Sequence, residues 1–122
     1  MTWANQFIGG VWSDDFNCYD WFRFMQREVF GRDVPIVPLS ATGKQIKAGL
    51  SNWRRVSTAI NDGDAVIMTD SNRQFHIGTY CTSGGGLIVH AARRFGVVAD
   101  NNFTLLAHGF KVRRFYTHTG DC

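Results

Sequence analysis

The chain has 122 residues, 44% of them hydrophobic and 19% charged, with a formal net charge of +3. That is enough for one domain with its own core, and too apolar for an unfolded segment. The basic residues are scattered, with the pairs Arg54-Arg55, Arg93-Arg94 and Arg113-Arg114, and form no single stripe, which argues against a nucleic-acid partner.

The opening, MTWANQF, has neither a basic start nor a long apolar run. It predicts no signal peptide, no membrane insertion and folding in a cytosol. Residues 1–13 read as an irregular lead-in, with Gly9-Gly10 marking a turn. Cys18, Trp21, Phe22, Met25 and Val29 then recur at three- and four-residue steps, the stripe of a helix over 18–30 that faces a core. Asn17 suits its N-cap, Asp20 its first turn and Gly31 its stop. Residues 34–42 hold both prolines and must be extended. Ser40 or Thr42 is placed to cap a second helix over 43–54, with Ile46, Leu50 and Trp53 inward. NDGD at 61–64 is a turn. Strands are expected at 65–68, 75–81, 87–93 and 111–117, with SGGG at 83–86 closing a hairpin between the middle two. Residues 101–109 read as a short helix before the last strand. Helices first and strands after predict an α+β domain spanning 1–122, its N-terminal helices packed on one face of an antiparallel β-sheet.

Three residues can carry chemistry together. A thiol attacks as thiolate, and a helix N-terminus, where Cys18 lies, favours that form. A nearby histidine can take the thiol proton, and a third polar group can orient that histidine. His76 and His90 flank the 83–86 hairpin and fall near each other at the end away from its turn. Residues directly opposite there lie roughly 5 Å apart at Cβ. These three residues are also metal-ligand types, but their spacing matches no zinc motif. Cys81, next to Tyr80, reads as packing. Cys122 is terminal and carries no assigned role, and neither do His108 and His118.

Three stretches resemble the NlpC-like cell-wall cysteine peptidases, a compact branch of the papain-like fold. FNCYDWFRFMQREVFGRDVP is similar to the family's nucleophile helix with its Gly-x-x-x-Pro exit. NDGDAVIM is similar to its Gly-Asp strand start. FHIGTYCTSGGGLIVHAARRFGVV is similar to its histidine strand, hairpin and second histidine followed by Ala. The resemblance implies that Cys18 is the nucleophile, His76 the general base and acid, and His90 the orienting residue. It implies hydrolysis of amide bonds in peptidoglycan stem peptides without a metal or organic cofactor. Trp12, Asn17 and Tyr19 become candidate neighbours of the substrate. The likeness is nearest to bacteriophage tail-tip versions, which implies a place in the virion among other tail proteins, after synthesis in the host cytoplasm.

The chain departs from the family beside the nucleophile. It reads Asn17-Cys18-Tyr19-Asp20 where Asp-Cys-Ser-Gly or Asp-Cys-Trp-Gly is usual, and Trp12 stands nearest to the position of a family tyrosine. Two other readings therefore stay open: a structural tail-tip protein with weak or lost catalysis, and an amidase or acyltransferase on the same scaffold.

Overall fold

Six stretches rich in β-branched and aromatic residues pair into one antiparallel sheet in the computed structural model, which describes residues 2–35 and 52–119. The strands are β1 (Trp53–Val56), β2 (Ala65–Thr69), β3 (Phe75–Cys81), β4 (Leu87–Ala92), β5 (Gly96–Asp100) and β6 (Lys111–His118). Their order across the sheet is β1-β6-β2-β3-β4-β5, and every neighbouring pair is antiparallel. Among the described residues there are two α-helices, α1 (Cys18–Phe30) and α2 (Asn102–Ala107), and two short 3-10 helices, Trp3–Gln6 and Ser83–Gly85. The domain is therefore α+β.

The pleat explains why β2 is buried along its whole length. Successive side chains point to opposite faces. Ala65 and Ile67 pack with Tyr19 and Phe22 of α1. Val66 and Met68 pack with Leu105 of α2 on the other face. The two helices thus cover opposite faces, and α2 lies between β5 and β6 in the chain. This corrects the expectation of helices gathered on one face.

Helix α1 begins and ends where its sequence says. Asn17 Oδ1 accepts from the N–H groups of Tyr19 and Asp20, at 3.0 and 3.2 Å. Asp20 returns the bond, accepting from Asn17 N–H at 3.0 Å. This capping box satisfies donors that the helix itself cannot. At the far end Gly31 adopts the left-handed conformation (φ 66°), which lets its N–H and that of Arg32 reach back to the carbonyls of Arg27 and Gln26. The buried face differs from the expected stripe. It is Tyr19, Phe22, Met25 and Gln26, while Trp21 is half-buried and donates its indole N–H to Val11 O. Full burial of a side chain such as Phe22 contributes roughly 2–3 kcal/mol.

Other boundaries shift as well. The helix expected over 43–54 lies outside the described residues as far as 51, but Trp53 and Arg54 belong to β1. Strand β5 falls where no element was expected. The lead-in runs beside it, with Gly9 N–H donating to Val97 O at 3.0 Å and Val97 N–H to Gly10 O at 2.8 Å. That pairing covers an otherwise open sheet edge.

Candidate active site

Each candidate residue is placed by an element boundary. Cys18 is the first residue of α1, directly behind its cap. His76 is the second residue of β3, opposite Met68 of β2 and therefore on the face that carries α2. The β3–β4 register aligns Thr79 with Val89. Continued one step it sets His90 beside Gly78, not beside His76, so the two histidines are diagonal neighbours. Long side chains bridge such diagonals. His76 Nε2 and His90 Nδ1 lie 2.8 Å apart, with the rings nearly perpendicular.

The line continues onto a third strand. His90 Nε2 lies 2.7 Å from Asp100 Oδ2 at the end of β5. His108, just beyond α2, places Nδ1 at 2.9 Å from the same oxygen. His76, His90 and Asp100 are all buried, the last only 3% exposed. Phe110 stacks on His76 at 4.3 Å and covers it from above. Neither Asp100 nor His108 was singled out by sequence. The available signal was weak: one acidic residue closing an unnoticed strand, and one histidine behind a short helix.

Cys18 and His76 line one cleft of about 430 Å³, together with Trp12, Asn17, Arg93 and Phe110. No hydrogen bond joins the Cys18 sulfur to the imidazole in this state. His76 Nδ1, the ring nitrogen not facing His90, makes no hydrogen bond to the described residues. Arg93 lies over the Trp12 ring at 4.6 Å and gives one wall a positive edge.

The electrostatics differ from the sequence-based expectation. Burial pushes the Cys18 thiol up to about 11, and the nearby Asp20 carboxylate acts in the same direction. Backbone N–H groups of Ile77, Tyr19 and Cys18 favour the thiolate but do not outweigh the loss of water. The helix start thus acts as predicted, yet the resting thiol is neutral near pH 7. His76 is held well below the usual histidine range, first by burial and then by its neighbour His90. Burial opposes ionisation of Asp100 as well, but hydrogen bonds from His90, His108 and Thr104 prevail and hold its carboxyl at about 2.

Two of the expected substrate neighbours, Trp12 and Asn17, are in the cleft. Tyr19 is not. Its ring stacks on Phe22 inside the core, and its hydroxyl donates to Pro35 O at 2.8 Å. With Arg23 Nε, which donates to Val34 O at 2.7 Å, it pins the Val34-Pro35 exit against α1. A bulky residue fits beside Cys18 because it points away from the cleft. Asn17 uses its carbonyl oxygen on the cap. Cys81 is fully buried and lies 3.0 Å from Thr2 Oγ1, in a packing position. Cys122 lies outside the described residues. No known protein family matches the sequence, and no curated protein does.

Proposed function

We propose that this chain is an NlpC-like cysteine peptidase of papain-like fold that cleaves amide bonds in peptidoglycan stem peptides, as a component of a phage tail tip. One observation supports this reading above the others. A cysteine at a helix start shares a cleft with a histidine whose far nitrogen is held by a second histidine at 2.8 Å. That is the order nucleophile, base, orienting group which acyl transfer needs. Inert cysteines have no use for such a line of imidazoles.

Because both resting partners are neutral, attack couples to proton transfer. The Sγ–H proton passes to His76 Nδ1 as sulfur bonds to the carbonyl carbon and the carbonyl oxygen takes the electron pair. His76 then gives the proton to the leaving nitrogen, the C–N bond breaks and a thioester remains. Water attacks the thioester, its proton returns through His76 to sulfur, and the acid departs. The Cys18 backbone N–H, not used by the Asn17 cap, is the oxyanion donor at hand. One such donor contributes roughly 3 kcal/mol to the transition state.

The second reading, a structural tail protein with weak or lost catalysis, draws support from the raised thiol and from the absent Cys18–His76 hydrogen bond. Digestion of purified peptidoglycan by wild type and Cys18→Ala, with fragments identified by mass spectrometry, separates the readings. The peptidase gives cut stem peptides from wild type alone. Cleavage between sugar and peptide, or transfer to an added amine, selects the amidase or acyltransferase. Intact peptidoglycan from folded wild type removes the peptidase reading.

A further inference from the structure

The buried carboxylate of Asp100 is not explained by nucleophile, base and orienting histidine. It is not part of the α2 capping box, in which Asn101 Oδ1 accepts from the N–H groups of Phe103 and Thr104 at 3.0 and 2.9 Å and Thr104 Oγ1 accepts from Asn101 N–H at 3.0 Å. Both imidazole contacts of the carboxylate converge on a single oxygen, Oδ2, from His90 and from His108. Burying a charged group in this way is unfavourable unless the charge is paired and hydrogen-bonded, as it is here.

We propose that Asp100 is the positioning residue of the site: it fixes the proton of His90 on Nε2 and thereby leaves the lone pair of His76 on Nδ1, the ring nitrogen that does not face His90. The proposal rests on the reading of Cys18 and His76 as the reacting pair. An ionised carboxylate only accepts hydrogen bonds. The His90 nitrogen at 2.7 Å from it must therefore carry a proton. In neutral His90 the other nitrogen, Nδ1, is then an acceptor. His76 Nε2, at 2.8 Å from that acceptor, must in turn be N–H. Neutral His76 is left with its lone pair on Nδ1, the nitrogen with no partner among the described residues. One carboxylate thus sets two tautomers in series across β5, β4 and β3.

Were His90 an imidazolium, its Nδ1–H would point at His76 Nε2, and the proton of neutral His76 would move to Nδ1. The base would be lost. His108 is the second donor on the same oxygen, Oδ2. The same two contacts fix the tautomer of His108, which must be Nδ1–H when neutral.

Nitrogen-15 NMR of the imidazoles reads these tautomers directly, on a chain of 13.8 kDa and without substrate. The expected wild-type spectrum near pH 7 shows His76 and His90 neutral with the proton on Nε2, and His108 with a proton on Nδ1. His76 protonated on Nδ1, or His90 as imidazolium, overturns the proposal. In Asp100→Asn the amide can donate to His90, and in Asp100→Ala the acceptor is gone. In both, the Nε2–H form of His76 should lose its dominance, and turnover should fall on the order of 100-fold or more with little change in KM. Wild-type tautomers retained in folded Asp100→Ala overturn the proposal. If neither variant folds, the wild-type spectrum alone decides. A chain with the expected tautomers that digests no peptidoglycan loses the peptidase reading and keeps Asp100 as the residue that sets them.

Discussion

A Cβ built on Gly78 would come within 2.7 Å of Ile88 Cγ2 and 3.1 Å of His90 Cβ. The missing side chain is what lets β4 lie close enough for His90 to lean across to His76. The pattern His76-x-Gly78 therefore has a steric cause: the glycine vacates the position between the two imidazoles. Gly78→Ala should push β3 and β4 apart, at a cost of about 1–3 kcal/mol as an overpacked core position. It should also lengthen the His76–His90 contact. Chemical denaturation together with peptidoglycan turnover checks this. A variant as stable and as active as wild type would show that the close approach is dispensable. Tyr19 gives the opposite lesson, since a large side chain next to Cys18 is tolerated when its ring enters the core.

The elements divide into those that local pattern reveals and those that it does not. Helix α1 was legible to the residue, because Asn17, Asp20 and Gly31 are chemical statements about its two ends. Strands β2, β3, β4 and β6 were legible from alternation and β-branched content, within one residue at their ends. Strand β1 was not, because Trp53 at helical spacing from Leu50 reads as the end of a helix. Strand β5 was not, because Gly-Val-Val-Ala-Asp is short and follows a charged turn. Missing β5 meant missing Asp100. Its approach to His90 depends on the β4–β5 register, in which Asp100 faces Ile88 and reaches His90 only diagonally. Register is a long-range property that no local pattern states. The acidity of Cys18 failed for the same kind of reason. A helix N-terminus is visible in sequence, whereas the burial that overrides it comes from the tertiary fold.

At the scale of the whole molecule, these buried groups shape stability against pH. His76 is depressed well below 6.5 in the folded chain. Below pH 6.5 the unfolded chain binds a proton that the folded chain refuses, so stability falls as pH drops. Asp100, held at about 2 against 3.8, contributes stability that is complete above 3.8 and lost as pH falls through about 2. At the other end, Cys18 is raised from 9.0 to about 11 and Tyr19 from 10.0 to about 12. Their contributions are complete below 9.0 and 10.0, and are lost as pH rises through the folded values. Stability should therefore peak between pH 6.5 and 9.0. Each group adds a slope of up to about 1.4 kcal/mol per pH unit on its own side. Urea unfolding across this range measures the curve. In Cys18→Ala the decline between pH 9.0 and 10.0 should flatten, leaving only the decline above 10.0 that is due to Tyr19. A chain that gains stability as pH falls below 6.5 would contradict the buried neutral state of His76.

The pairing of Cys18 with His76 is the centre of the account, and the pH profile of Cys18 alkylation tests it without assuming any substrate. The reaction is followed at that residue by peptide mapping in wild type and in His76→Ala. With His76 as the base, the wild-type rate reaches a plateau across neutral pH, because His76 is already deprotonated there, and rises again toward pH 11 as the thiol itself ionises. His76→Ala loses the plateau and keeps only the rise toward 11. Two superimposable profiles, both slow at neutral pH, would contradict the account and leave Cys18 a buried thiol in a structural protein.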